Sequence, residues 1–291
     1  MKILKKTLAL LLALAFTFPT VSLFARNGGN DQLLNPPQTG GDMESVLPEQ
    51  DDVSSSVEPE PTPEPSPEPT PEPEPEPPKI SYAKYIRCTG NGVNIRSGAG
   101  TDFATLGRAE KGENYAVVGK TGSWYKTYYR GKTAYIYASY AAVLSIEQSD
   151  NEKVESVIEE GYKLLGVPYV YGAVRFHDGK GKLLGGFSAQ KFDCSSLVQY
   201  VFYKGAGKLL QVNTRTQVKQ GEYIAKKDLQ RGDCIFFTNE SRKHLSGIER
   251  IGHVAIYLGD NYILHTASDF ARIEKISSTR WSHYVEARRF V

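Results

Sequence analysis

Between Glu58 and Pro78 the chain reads EPEPTPEPSPEPTPEPEPEPP, and no compact fold accommodates such a run. Proline fixes φ and removes a backbone donor, so the segment can form neither a helix interior nor a central strand. Its glutamates repel one another, which favours a stiff, extended spacer. At about 3.1 Å per residue, some 20 residues reach on the order of 60 Å. The run therefore divides the chain. Ahead of it, residues 1–25 have the shape of a secretory signal peptide. Lys2, Lys5 and Lys6 precede the apolar stretch Leu8 to Phe16, and small residues place the cut after Ser22 or Ala25. Residues 26–57 are polar, acidic and without periodicity. Residues 26–79 together therefore read as a disordered acidic segment followed by a linker. No later stretch is apolar enough to predict an integral membrane span. The expected location is outside a bacterial cell, secreted or associated with the cell wall.

The formal net charge of +2 conceals an asymmetry. Residues 26–79 carry 13 Asp/Glu against 2 Arg/Lys, whereas residues 80–291 carry 20 against 30, a net of +10. A basic folded part favours anionic partners, and outside a cell these are wall polymers. A nucleic-acid binder would have only this charge to support it, and conflicts with export.

The chain has 3 cysteines, an odd number that leaves at least one thiol free in an exported protein. Cys88 and Cys234 sit in strand-like runs, YIRCTG and DCIFFTN, and read as small buried hydrophobes, with a mutual disulfide as the lesser alternative. Cys194 stands in KFDCSSLVQYVF, where Leu197, Val198, Val201 and Phe202 form one apolar helix face. Asp193 is a good N-cap, which puts Cys194 at the first helical position. There the helix dipole favours a thiolate.

A nucleophilic thiol needs a base, and histidine is suited to that near neutral pH. The stretch HVAIYLGDNYILH predicts a β-hairpin turning at Gly259-Asp260-Asn261. With a three-residue loop Leu258 pairs with Tyr262 and Ala255 with His265, so His265 lands diagonally beside His253 on one face. A two-residue loop would put the two histidines on opposite faces. The hairpin thus supports a Cys194–His253–His265 triad in one register.

Residues 80–146 alternate short β-rich runs with Gly-rich turns, which predicts a small all-β barrel. Its GVNIRSGAGTDFATLGRAEKGENYAVVGKTGSWYKTYY resembles a bacterial SH3-like domain. Such domains commonly bind wall peptides or flank the groove of an attached enzyme. Trp124 and Tyr125 read as core more readily than as ligand aromatics. Residues 149–291 read as helices first and an antiparallel sheet after, an α+β order.

Four blocks in the second part, LGVPYVYG, FDCSSLVQYVF, LQRGDCIFF and IGHVAIYLGDNYILHTAS, resemble in order the NlpC family of papain-like cysteine peptidases. The resemblance implies a papain-like α+β fold with helices packed on an antiparallel sheet. It also implies hydrolysis of bacterial peptidoglycan stem peptides or muropeptides, most often at the γ-D-glutamyl–diamino acid amide. Cys194 would be the nucleophile, His253 base then acid, His265 the orienter, and Tyr169 a neighbour of the oxyanion. Asp193, Ser195, Asn213 and Thr214 are expected on the substrate side. Departures from the family pattern are Ser196 in place of the usual Gly, Asn213 in place of an aspartate, and an extra loop, RFHDGKGKLLGGF, that would reshape the cleft or cover it. In that loop His177 and Asp178 read as a chance pair rather than a metal site. No metal or cofactor is implied, and a monomer is expected. An amidase cutting before the first L-alanine, or a catalytically silent wall-binding protein, are the alternatives.

Overall fold

The computed structural model describes residues 80–291; the expected signal peptide, acidic segment and Pro/Glu spacer lie outside the described residues. Eight strands come first: β1 Tyr82–Cys88, β2 Val93–Arg96, β3 Thr105–Ala109, β4 Asn114–Val117, β5 Gly119–Thr121, β6 Trp124–Tyr129, β7 Lys132–Tyr137 and β8 Ala141–Glu147. Helix α1 (Glu152–Lys163), helix α2 (Cys194–Ala206) and the short α3 (Thr214–Gln217) follow. The chain then adds β9 Glu222–Ile224, β10 Cys234–Phe237, β11 His253–Gly259, β12 Tyr262–Ala267, β13 Phe270–Lys275, α4 Ser278–Ser282 and β14 Tyr284–Arg289. The all-β and α+β expectations hold for the two parts.

The parts share a sheet. β2, β3, β5, β6 and β7 form a five-stranded sheet of their own, but β8, β1 and β4 continue into a nine-stranded sheet ordered β8-β1-β4-β13-β12-β11-β10-β14-β9. The seam is the β4–β13 pairing, where Ile273 lies opposite Asn114. The Asn114 side chain donates to the Ile273 carbonyl at 3.1 Å, satisfying a buried acceptor across the seam. Strand β10, CIFF, is buried at every residue, as its unbroken apolar run demands of a strand covered on both faces. One face of this sheet (Val254, Ile256, Leu258, Leu264) packs in the main core with α2. The other (Ile235, Phe237, Ala255, Ile263, Ala287) forms a second cluster.

Helix α1 buries Val154, Val157 and Ile158, and α2 buries Leu197, Val198, Val201 and Phe202, the faces set by 3.6-residue spacing. Gly205 lies within α2. A Cβ there would come 2.4 Å from the Val157 backbone nitrogen, so glycine is what lets the two helices touch. Gly207 ends the helix at φ 64°.

A buried polar latch also crosses the seam. Arg231 pairs with Glu155 of α1 at 2.6 Å and donates to the Tyr85 hydroxyl of β1 at 2.9 Å. It also donates to the Leu258 carbonyl at 2.9 Å and the Tyr162 hydroxyl at 3.0 Å. Cys88 and Cys234 are buried and free. Tyr125 is half-buried and packs against the core as expected, whereas Trp124, also half-buried, lies outside it. Trp124 packs on Tyr137, and the two line an open groove with Tyr140.

Candidate active site

Asp193 caps α2 as its sequence position predicts, its carboxylate accepting from the Ser196 N–H at 2.8 Å. Ser196 returns the favour, its hydroxyl accepting from the Asp193 N–H at 2.9 Å. The serine that departs from the usual glycine thus completes a reciprocal capping box. Together these bonds fix the first turn, where Cys194 sits.

The thiol is enclosed, and that reverses its expected acidity. Burial first, and then the Asp193 charge, push the Cys194 thiol up to about 11. The Val254 and Ser195 N–H groups and the Arg175 guanidinium pull the other way without prevailing. The helix terminus alone would favour a thiolate; desolvation of the charge outweighs it here. The resting group is a protonated thiol that touches the strand backbone one residue beyond His253.

His253 opens β11, and its Nε2 lies 2.8 Å from Nδ1 of His265 on β12. Both rings are buried. Burial lowers both imidazolium pKa values, that of His253 furthest, so both rest neutral near pH 7. The expected pairing is present, but the turn that makes it is not the expected one. Asp260 and Asn261 both have positive φ, 49° and 63°, the mark of a two-residue type I′ turn closed by Gly259 and Tyr262. A bulge between Tyr257 and Gly259 then absorbs one residue, after which Tyr257 faces Ile263 and Ile256 faces Leu264. The bulge returns His265 to the face of His253.

Tyr169 is held near α2 although it stands 25 residues before Cys194 in the sequence. It forms a parallel bridge with Phe192, and the Val170 N–H donates to the Phe192 carbonyl at 2.9 Å. The intervening residues loop out and return. Burial first, and then the charges of Cys194 and Asp193, push the Tyr169 phenol up to about 12, so it stays protonated near neutral pH.

The extra loop is pinned to the body of the protein. Phe176 and Phe187 pack against Tyr200 of α2, and Phe176 also meets Tyr203. His177 is fully buried, with its Nδ1 accepting from the Gly179 N–H at 3.0 Å. It anchors the loop, and no cluster of metal-ligating side chains occurs among the described residues. The loop also delivers Arg175, which sequence reasoning passed over. Its guanidinium donates to Asp193 Oδ2 at 2.8 Å, Ser195 Oγ at 2.9 Å and the Val212 carbonyl at 2.6 Å. No local spacing signals this residue; only the folding-back of the loop brings it to α2.

Of the four residues expected on the substrate side, Asp193 and Ser195 are buried and engaged by Arg175, and Thr214 is buried in the first turn of α3. Asn213 caps α3, accepting from the Thr216 N–H at 3.1 Å, and is half-buried. Gln217 ties this segment to α2 by donating to the Ser195 carbonyl at 2.9 Å. A second missed residue is Glu274 of β13, whose Oε1 lies 3.2 Å from His265 Nε2 and 2.9 Å from Arg280 Nη2.

A thiol at a capped helix start, set against a strand whose first residue, His253, pairs with His265 of the next strand, defines an α+β domain with a cysteine–histidine site. Comparison with known families agrees: residues 166–289 match the NlpC/P60 family and residues 91–142 match the bacterial SH3 domain. Among curated proteins, a gamma-DL-glutamyl hydrolase of Bacillus subtilis is 30% identical over 161 residues, covering 55% of this chain and 35% of that protein. A gamma-D-glutamyl-L-lysine dipeptidyl-peptidase of Bacillus cereus is 29% identical over 140 residues, covering 47% of this chain and 36% of that protein. The chain spans about a third of the length of these two relatives. A solved NlpC/P60 family protein from Bacillus cereus aligns over 72% of this chain and 63% of its own, with 21% identity and a TM-score of 0.38.

Proposed function

We propose that the chain is an exported cysteine peptidase that hydrolyses peptide bonds of bacterial peptidoglycan, at the γ-D-glutamyl–diamino acid bond of stem peptides or muropeptides. The observation that carries the reading is the buried His253–His265 pair, beginning on the residue before Val254, whose N–H meets the Cys194 sulfur. A thiol and two imidazoles are the residue types that acyl transfer uses. Relatives named for action on γ-glutamyl bonds support the choice of bond.

The chemistry follows from the resting state. His253, neutral, takes the thiol proton as Cys194 Sγ attacks the amide carbonyl, because a thiol held near 11 is not pre-ionised. The Tyr169 hydroxyl donates to the developing oxyanion. As the C–N bond breaks, His253 gives its proton to the leaving amine, leaving an acyl-thioester. Water, deprotonated by His253, then attacks the thioester; the C–S bond breaks and the thiol is regenerated. His265 holds the His253 ring throughout. The SH3 domain, sharing the sheet, would present the wall polymer to this site, and the basic charge of residues 80–291 suits an anionic polymer. The protein would act as a monomer, without metal or cofactor, in the wall or in the medium.

Digestion of purified peptidoglycan by the full chain, beside Cys194→Ala, tests the reading. Mass spectrometry should find fragments ending in γ-D-glutamate with a new free amine on the diamino acid, and none with the variant. A free amine on L-alanine instead would make it an amidase. Wall binding without cleavage would leave a binding protein.

A further inference from the structure

The His265 Nε2 is fully buried, and the polar atom nearest it is a carboxylate oxygen of Glu274, 3.2 Å away. Glu274 also pairs with Arg280. Burial works to raise its carboxyl, but His265 first and then Arg280 and Arg272 outweigh it and hold the group ionised, lowered to about 2. An ionised carboxylate only accepts hydrogen bonds. A lone pair on Nε2 would face that negative charge, so the single proton of neutral His265 belongs on Nε2. Its Nδ1 is then an acceptor. The 2.8 Å contact with His253 therefore requires His253 Nε2 to be the donor. Since neutral His253 also has only one ring proton, its Nδ1 is left bare.

We propose that Glu274 is a positioning residue of this site: through His265 it fixes which nitrogen of His253 carries the proton, leaving Nδ1 as the base for Cys194. With the reverse tautomers Nδ1 would carry the proton, and His253 would have no free ring nitrogen to act as a base. The charged and titratable groups that face His265 are His253 from β11, Glu274 and Arg272 from β13, and Arg280 from α4. Glu274 is the one anion among them, so it also steadies the imidazolium that forms when His253 takes the thiol proton. The inference rests on the cysteine-peptidase reading for its kinetic consequence but not for the tautomers themselves.

Long-range proton–nitrogen NMR of the full chain, with ¹⁵N-labelled histidine, distinguishes protonated from bare ring nitrogens. Both His253 and His265 should show protonated Nε2 and bare Nδ1 near neutral pH; a protonated Nδ1 on His265 overturns the proposal. Glu274→Leu, which keeps bulk but offers no acceptor, should lower kcat by roughly tenfold or more with KM little changed. The pH limb that reports imidazole protonation should move to lower pH, because the anion that raised it is gone. Glu274→Asp should recover part of the loss. A Glu274→Leu protein that folds, by its circular dichroism, and keeps the wild-type kcat and pH profile would also overturn the proposal. Correct tautomers in a wild-type protein that cleaves no wall peptide would instead count against the functional reading alone.

Discussion

His253 and His265 lie side by side across β11 and β12, 2.8 Å apart, although the turn between their strands has only two residues. The bulge before Gly259 supplies the missing step of register, and the turn itself needs two left-handed residues, Asp260 and Asn261. A β-branched side chain is poorly suited to that conformation. Asn261→Val should cost about 1–2 kcal/mol, whereas Asn261→Gly should be neutral or stabilising. Denaturant midpoints of the two variants check this.

The buried thiol makes a prediction about pH. With Cys194 raised to about 11 by burial and then by Asp193, the thiolate is scarce at pH 7 and grows as pH rises. Alkylation of Cys194 by iodoacetamide should be slow at pH 6 and accelerate steadily through pH 9 and above. Rapid alkylation at pH 6 would reveal a pre-formed thiolate–imidazolium pair. Because Cys88 and Cys234 are also buried, peptide mapping of the alkylated site identifies the reacting residue.

Arg231 binds the two parts of the protein through one side chain. Burial works to raise the Glu155 carboxyl, but the Arg231 pair outweighs it and holds the group below its ordinary 4.5. A depressed carboxylate contributes stability that is present above that value and lost as pH falls through the folded one. Arg231→Ala leaves Glu155 and two tyrosine hydroxyls without their partner and should cost about 3 kcal/mol or more at pH 7. The loss should shrink as pH falls from 7 through the lowered folded value of Glu155, where that carboxyl protonates. Thermal unfolding of both proteins across that range measures it.

The shared sheet makes the SH3 domain part of the catalytic body. Removing residues 80–148 would bare the β13 edge at Ile273 and uncover Tyr162 and Arg231. Residues 149–291 expressed alone should aggregate or unfold more readily than residues 80–291. Equal melting temperatures for the two would show that the seam contributes little.

The parts of this architecture set by short-range pattern were legible in the sequence. The α2 face, its Asp193 cap and the strands HVAIYLG and YILH follow from periodicity and one N-cap signal. The diagonal relation of His253 to His265 also followed, though through a loop length the chain does not use. Two errors cancelled there, because turn length and bulge shift register by one residue each. Strand β13 was missed: FARIEK alternates buried Ala271 and Ile273 with charged residues, and Ser268, at φ 57°, turns into it without a glycine. Glu274 was lost with that strand. Arg175 and the packing of the 175–187 loop depend on contacts across tens of residues, which spacing cannot carry. The acidity of Cys194 was misjudged for the same reason, since a helix terminus is local and burial is not.

The account turns on Cys194 forming a covalent bond with its substrate. The most direct test is intact-protein mass spectrometry after rapid acid quenching of the full chain with a γ-D-glutamyl stem peptide. A transient increment equal to the acyl portion, mapped to Cys194 and absent in Cys194→Ala, is the predicted result. Turnover by Cys194→Ala would contradict it.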